Sequence, residues 1–553
     1  MRIKSLLFAL LFISATFSTY SQTEDMPRPA AWSNLVFGGR FMDRFMPMPK
    51  GVLSRDTWGA DNVLPRYVDN GIENRKWSFW GGNIKLAEDG KYHFYVCGWL
   101  ESSPKGHNTW PQSIVFHAVS DRPYGPFVVK DTIGKGHNPE LFKSKEGKYV
   151  LYVIDGYYVS DHWNGPWEYK KFEFLTRDRK IIEGLSNLTF AQREDGSYLM
   201  ICRGGGQWFS QTGLTAYNQV TEKRAYPDIK GRFEDPVVWR DNIQYNLIVN
   251  DWLGRTAYYL RSKDGVNWKV ESGEAYIPGV ARHEDGTVEG WFKFERLKIY
   301  QDELGRALQG NFAVIDVEKK FDLGSDIHSS KNISIPLTVG RLLTILDKEK
   351  ISASTKTIQV KIAAEKDFNP QKDIDINSLQ FGDPEDVNFG RGGKVLKTEK
   401  SGKDLIVTFK GNGKDFSKDE FAAKVLGKTS SGKLFFGYAR LPWVTFIEPI
   451  LSSCLPVITT KDSISFNLKV EVQNFGQVAS TDNATLKVMY SVDQKDVEIG
   501  TVKVPALKPY QKTTVELPCG KLFEKGMEYK FTVVVDQKGI KPATLVGKLT
   551  PVK

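Results

Sequence analysis

One structural unit recurs between about residue 77 and residue 316, and it restricts the fold more than any other feature of the sequence. Its clearest copy, at residues 137–167, begins with a short strand, a turn at Gly147 and a strand of β-branched and aromatic residues. A third strand ends in Ser160-Asp161, and Gly165-Pro166-Trp167 opens the fourth. Strand-forming residues separated by turn residues in this order predict four short antiparallel strands.

The same order of strands occurs in five copies, which begin near residues 82, 137, 186, 234 and 294. Four antiparallel strands repeated every ~40–50 residues are typical of the blades of a β-propeller. The sequence therefore predicts an all-β protein whose larger part is a five-bladed β-propeller.

The composition changes after about residue 325, where tryptophan becomes rare and lysine and serine increase. Apolar and polar residues alternate at Ile358–Ile362 and again at Ser463–Val470, as in half-buried strands of a sandwich. The pattern predicts two immunoglobulin-like β-sandwich domains after the propeller. The predicted divisions are a signal peptide at 1–21, a catalytic propeller at 22–325, and sandwiches at 326–456 and 457–553.

The first residues predict export. Arg2 and Lys4 precede an apolar run at Leu6–Ile13 and a stretch of small residues that ends near Gln22, the pattern of a cleavable signal peptide. No other stretch approaches the ~20 apolar residues that a spanning helix requires. We therefore expect a periplasmic or secreted protein without a membrane span.

The charge of the chain favours an anionic partner but not nucleic acid. The formal net charge is +10, a moderate excess that suits a polyanionic ligand. The lysines are scattered mostly over the C-terminal half, as on a solvated surface, and the chain is predicted to be exported. We expect an acidic oligosaccharide as substrate and no nucleic-acid partner.

Polar residues stand where the inner strand of each predicted blade begins, and these starts converge on the central channel of a propeller. Aromatic rings beside amides, carboxylates, histidine and arginine are typical of sugar sites, because sugar faces stack on rings and hydroxyls require hydrogen-bond partners. The predicted catalytic residues are His137, Glu183, Asp235, His283 and Glu295. The predicted substrate-binding residues are Asn83, His107, Asn138, Asn187, Arg203, Trp208, Trp252 and Arg296.

Residues 30–320 resemble the five-bladed glycoside hydrolases of families 43 and 117. The resemblance rests on Asn138-Pro139 at a blade start, on the Ser-Asp and Gly-Pro-Trp blade ends, and on Phe233–Pro236 and Phe294–Arg296. It implies a carbohydrate-active enzyme that uses a carboxylate base, an aspartate that tunes a pKa, and a glutamic acid.

The chain departs from that family pattern at its first two blade starts, which carry no carboxylate. Glu183 could match the acid, and Asp43, Asp61 or Asp235 could supply the base. The resemblance therefore supports the fold more strongly than the mechanism.

Two reactions and one binding role are compatible with these residues. Elimination from a uronic acid requires cations or amides at the carboxylate, a base and an acid, which the histidines and arginines could supply. The main prediction is a carbon–oxygen lyase, resembling the dehydratases of ulvan oligosaccharides, that acts on the non-reducing end of acidic, sulfated algal oligosaccharides. The alternatives are an exo-acting glycoside hydrolase and a non-catalytic sugar-binding propeller. No cofactor is predicted, and a structural calcium ion held by Glu234, Asp235 and channel amides stays open.

Overall fold

The computed structural model describes residues 25–49, 51–54, 66–460, 466–492, 495–520, 523–524 and 526–550. The predicted signal peptide lies outside these residues. The regular secondary structure of the described residues is almost entirely β-strand, with one short α-helix, α1 (Pro384–Asn388), and three 3₁₀ helices. No helix of the described part has the length and apolar character needed to span a membrane.

Five antiparallel sheets succeed one another along the chain and confirm the predicted five-bladed propeller. A two-stranded ladder, β1 (Leu53–Ser54) with β2 (Arg66–Tyr67), precedes them. The first blade contains β3 (Trp77–Leu86), β4 (Tyr92–Leu100), β5 (Ile114–Ser120) and β6 (Val128–Lys135), and the second contains β7 (Glu140–Lys143), β8 (Tyr149–Val153), β9 (Gly156–Ser160) and β10 (Glu168–Lys170). The third blade contains β12 (Thr189–Gln192), β13 (Tyr198–Ile201), β14 (Gln207–Ser210) and β15 (Tyr217–Gln219), with β11 (Phe174–Leu175) parallel to β15. The fourth contains β16 (Phe233–Arg240), β17 (Tyr245–Asp251), β18 (Thr256–Ser262) and β19 (Lys269–Tyr276), and the fifth contains β20 (Lys293–Gln301), β21 (Ala307–Ile315) and β22 (Ser330–Pro336).

The inner strands are joined by a repeated side-chain hydrogen bond. Asn83 Oδ1 accepts from the backbone N–H of Leu141 at 2.7 Å, and Glu140 Oε1 accepts from Phe190 N at 3.0 Å. Thr189 stands at the same position of the third blade and accepts from the next inner strand. Asn83 also donates to Leu141 O at 2.9 Å, so both ends of its amide are used between blades. Asn83, predicted to bind substrate, is therefore corrected to a residue that joins the first two blades.

The fifth blade closes the ring but extends beyond the predicted boundary at residue 325. Its inner strand β20 packs against β3 of the first blade and β16 of the fourth. Its third strand, β22, pairs with β21 from Gln309↔Pro336 to Ile315↔Ser330. The boundary was placed too early because the change in composition marks the loop before β22, whereas backbone pairing holds β22 in the blade.

The C-terminal strands enclose two further hydrophobic cores, one for each β-sandwich unit. β30 (Leu451–Ser453) pairs with β32 (Phe466–Asn474) of the second unit, so that unit begins before residue 457. The first unit contains β23 (Leu343–Ile345), β24 (Thr357–Ile362), β25 (Ile374–Gly382), β26 (Gly393–Ser401), β27 (Asp404–Lys410), β28 (Ala422–Thr429) and β29 (Leu434–Arg440). The second contains β30 (Leu451–Ser453), β31 (Val457–Thr460), β32 (Phe466–Asn474), β33 (Ala484–Val492), β34 (Lys495–Val504), β35 (Lys512–Cys519), β36 (Tyr529–Asp536) and β37 (Ala543–Leu549).

The first sandwich unit is attached to the fourth blade through a buried charge cluster. Arg261 on β18 is fully buried and pairs with Glu271 of its own blade at 2.7 Å and with Glu420 of the sandwich at 3.2 Å. A buried charge that loses its partner is strongly destabilising, so this interface depends on all three groups. The cluster belongs to the scaffold and holds the sandwich against the outer side of the fourth blade.

Candidate active site

A ring of left-handed residues surrounds the channel axis. One residue near the start of each inner strand has φ between 50° and 61°, and the set is Gly81, Asn138, Asn187, Asp235 and Arg296. The strand register shifts beside this position in the first, fourth and fifth blades, as at a β-bulge. Non-glycine residues seldom adopt this conformation, and such strain is concentrated at functional sites. The five blades therefore bring equivalent backbone positions, four of them with polar side chains, to one small volume.

Hydrogen bonds connect this ring from blade to blade. Asn138 Nδ2 donates to Asn187 Oδ1 at 2.9 Å, and Asn187 Nδ2 donates to Asp235 Oδ1 at 3.0 Å and to Glu234 Oε1 at 2.9 Å. Arg296 Nη1 donates to Asp235 Oδ1 at 2.7 Å. Four of the predicted site residues, Asn138, Asn187, Asp235 and Arg296, are thus in one buried network.

Two glutamates lie beside the ring in different electrostatic surroundings. Glu295 is almost fully buried, and its carboxylate contacts Lys319 Nζ at 2.5 Å and Lys293 Nζ at 3.7 Å. The Glu234 side chain is 22 % exposed, and Arg203 Nε lies 3.5 Å from its Oε1. Glu295 thus has two ammonium groups beside it, whereas Glu234 has one guanidinium.

The pKa of Glu234 is raised to about 7, mainly by burial and then by the charge of Asp235. Glu295 contributes to the rise, whereas Lys319 and Arg203 oppose it. A carboxyl group with this pKa is partly protonated at neutral pH and can donate a proton. The pair can therefore divide the roles of acid and base.

Aromatic rings and neutral histidines form one wall of the site. Trp110 is 39 % exposed, and its ring lies 4.9 Å from that of His137. His107 packs edge-on against Trp80 at 4.6 Å. Burial, followed by nearby cations, lowers the pKa of both histidines well below the usual value. His107 and His137 are therefore uncharged, and His137 Nδ1 is engaged by Ser113 Oγ at 2.9 Å.

On the opposite side, Trp252 adds a second half-exposed ring. Lys293 Nζ lies 4.9 Å from the centre of this ring, and Trp252, Lys293 and Glu295 line one small cavity with Tyr276 and Arg255. Arg203 and Trp252, both predicted to bind substrate, thus lie beside the glutamates. Arg203 is next to Glu234, and Trp252 is next to Lys293.

Three other predicted residues are not brought into this cluster. Glu183 lies at an exposed position, 3.5 Å from Arg224 Nη2. His283 is buried in the loop between β19 and β20, where it contacts Glu289 at 2.7 Å and the Tyr67 ring at 3.7 Å. Trp208 is fully buried in the core of the third blade. Trp208 is therefore corrected to a core residue and His283 to a residue that holds its loop, because both side chains are enclosed by protein.

Of the two remaining candidate bases, only Asp43 lies among the described residues, and it has a structural role. Asp43 Oδ2 accepts from the backbone N–H groups of Gly38 and Arg40 and so serves a 3₁₀ turn. Asp61 lies outside the described residues.

The donor set at the ring does not fit calcium. Calcium takes six to eight oxygen ligands, but here the guanidinium of Arg296 already holds Asp235. The Asn187 amide directs its N–H group, not its oxygen, at the two neighbouring carboxylates. No cluster of three or more histidine, cysteine or acidic residues suited to a metal occurs among the described residues.

Three residues of the cluster escaped prediction as functional groups. Glu234 was considered only as a metal ligand, although its place beside Asp235 at a blade start was a usable signal. Lys293 and Lys319 resemble ordinary surface lysines in the sequence, and Lys319 stands in the charged run Glu318–Lys320. Only the fold of the fifth blade brings both ammonium groups to Glu295.

The fold and the site together define a five-bladed β-propeller with paired carboxyl groups at one mouth of its channel. No protein-family model matches the chain, and no curated protein sequence matches it. Among solved structures, a glycoside hydrolase is similar at 11 % identity and TM-score 0.36, covering 87 % of this chain and 99 % of its own. An α-L-arabinofuranosidase from Lactobacillus brevis is 13 % identical at TM-score 0.34, with 48 % of this chain and 91 % of its own covered. A xylan β-1,4-xylosidase from Bacillus halodurans C-125 is 9 % identical at TM-score 0.32, with 87 % and 91 % covered.

The predicted reaction class requires a correction. The structures named above are glycoside hydrolases and not lyases, and the prediction of a carbon–oxygen lyase is therefore not retained. The likeness itself concerns the fold.

Proposed function

We propose that the protein is a glycoside hydrolase that acts at the chain ends of acidic oligosaccharides. The observation that carries this proposal is the pair Glu234 and Glu295, in which one carboxyl has a pKa raised to about 7 and the other lies between two lysines. Hydrolysis of a glycosidic bond requires this combination of a protonated acid and a charged carboxylate.

Glu234 is the proposed acid. Its side chain is the more exposed of the pair, so it can reach the glycosidic oxygen and protonate the leaving group. After transfer, the anionic Glu234 is stabilised by the Asn187 amide at 2.9 Å and by Arg203. The hydrogen-bonded ring thus holds the acid in place before and after it gives up its proton.

Glu295 is the proposed second carboxylate, which activates water or attacks the sugar. Its Oε2 is bound by Lys319, whereas its buried Oε1 has no hydrogen-bond partner among the described residues. A buried acceptor without a partner is costly, and a water or sugar hydroxyl would satisfy it. We propose that this oxygen, which lies 3.7 Å from Lys293 Nζ, faces the reacting group.

The surroundings of the pair suit an acidic sugar at a chain end. The rings of Trp110 and Trp252 offer surfaces for sugar faces, and the cations Lys293, Lys319 and Arg203 can neutralise a carboxylate or sulfate. We propose that the buried ring beside the glutamates closes the channel at this point, so that the pocket is blind. A blind pocket accepts the end of a chain.

From the sequence of residues 1–21 we further propose that the enzyme is exported.

The direct test is incubation of the mature protein with uronate-containing and sulfated oligosaccharides, including those from ulvan, with neutral arabino- and xylo-oligosaccharides as the comparison set. We expect shorter products, each cleavage adding one water (~18 Da) and one reducing end, without the ultraviolet band of an unsaturated uronate. Binding without cleavage, in every set, would contradict the proposal. Cleavage of the neutral set alone would retain hydrolysis and reject the acidic substrate.

The pH dependence of kcat/KM should follow the proton on Glu234. Since the acid must be protonated and its pKa is raised to about 7, activity should fall as pH rises through 7. The rate at pH 8 should be about fivefold to tenfold below that at pH 6. A pH profile on a substrate with a poor leaving group measures this, and constant activity up to pH 9 would exclude Glu234 as the acid.

Lys319 is expected to position the charges of both glutamates. Its ammonium lowers the pKa of Glu234, so Lys319→Met should raise that pKa and move the alkaline limb of the profile to higher pH. We expect kcat to fall about tenfold and Lys319→Arg to restore most of it. Loss of activity with an unmoved profile would show that Lys319 has only a structural role.

A further inference from the structure

The central channel contains cations built into the protein. Arg296 on β20 pairs with Asp235 on β16, and the two side chains are 1 % and 4 % exposed. In the next layer of the channel, Lys298 of the same strand pairs with Glu140 of β7, at 3 % and 8 % exposure. The fifth blade thus supplies the counter-charge for one carboxylate of the fourth blade and one of the second.

Without Arg296 the ring would be an attractive cation site. One carboxylate and two side-chain amides are joined by hydrogen bonds beside Gly81, and oxygen groups of this kind are the ligands of calcium. Arg296 reaches across this space: its Nε would lie 3.7 Å from a side-chain carbon at Gly81. A divalent ion would therefore meet both the guanidinium itself and its positive charge.

The geometry of Arg296 indicates that the charge is required at this point. It is the one arginine among five residues that share the left-handed conformation, with φ at 51°, a conformation that a long side chain adopts at a cost. Its guanidinium also leaves Nε and Nη2 without hydrogen-bond partners among the described residues. These costs are offset by the pairing of Asp235, a buried carboxylate for which Arg296 is the cation in direct contact.

We propose that Arg296 is an internal replacement for a channel metal ion, so that the propeller folds and keeps its site independently of calcium. Arg296 and Lys298 neutralise the channel as one divalent ion would. The inference does not depend on the proposed hydrolysis, because it is tested without substrate.

The test is thermal unfolding of the full chain in excess EDTA and in millimolar calcium chloride. We expect the same midpoint in both for the unaltered protein. Arg296→Gln should lower the midpoint by about 10 °C, because Asp235 is left buried without a counter-charge, and calcium should recover part of that loss. The double variant Arg296→Gln with Asp235→Asn should recover stability without calcium, since it removes both charges.

The control is Arg224→Gln, a matched change at a partly exposed arginine that pairs with Glu183. It should neither lower the midpoint strongly nor create a response to calcium. A midpoint of the unaltered protein that falls by more than about 5 °C in EDTA would overturn the proposal. An Arg296→Gln variant as stable as the unaltered chain would also overturn it. If Arg296→Gln alone does not fold, the EDTA comparison and the double variant decide the question.

Discussion

Glu234→Gln is expected to lower kcat/KM about 10³-fold on oligosaccharides. The change keeps the size of the side chain and its hydrogen bond with Asn187, but it removes the proton that the leaving oxygen requires. The loss should be much smaller on an activated aryl glycoside, whose leaving group departs without protonation. The alkaline limb near pH 7 should disappear with it, because Glu234 is the group whose pKa is raised to about 7. Steady-state kinetics on both substrates measure this prediction.

Glu183→Gln is the matched control for this experiment. Glu183 was the acid suggested by family resemblance, yet it lies at an exposed position beside Arg224. Its replacement should leave kcat/KM within about threefold of the unaltered enzyme. If Glu183→Gln removes activity and Glu234→Gln does not, the assignment of the acid is wrong.

Glu295→Gln is expected to have the larger effect, about a 10⁴-fold loss of kcat on both kinds of substrate. An activated leaving group cannot compensate, because the missing carboxylate is needed at the sugar carbon and not at the leaving oxygen. Equal losses on aryl glycosides and oligosaccharides would separate this role from that of the acid.

Folding must be checked for this variant, since Lys319 and Lys293 lose a buried partner. Circular dichroism and binding of an intact oligosaccharide should both be retained. A folded, substrate-binding variant with full activity would contradict the proposed role of Glu295.

The architecture could be predicted from the chain because blade strands are local. Each copy of the repeat carries its own strands and turns, such as Gly147 followed by Tyr149–Val153, and these form by short-range pairing. The limits of the units were harder to predict. β22 belongs to the fifth blade only through its pairing with β21, and β30 belongs to the second sandwich through β32.

The candidate site was predictable only where the repeat marks it. Position within the repeat placed Asn138, Asn187, Asp235 and Arg296 at the channel, and the structure joins all four by hydrogen bonds. The same rule misplaced Asn83, which stands two residues beyond the ring and joins blades instead. Residue type alone, without a repeat position, led to Trp208 and His283, which the fold encloses.

The all-β class, the number of blades and the residues at each inner strand could therefore be predicted from the sequence, because these features depend on residues that are neighbours in sequence. The chemistry depends on groups from different blades. Glu234 and Glu295 stand 61 positions apart, and Lys319 lies on a later loop. The pKa of Glu234 is set by burial and by charged groups across the channel, and only the closed ring of blades brings those groups together.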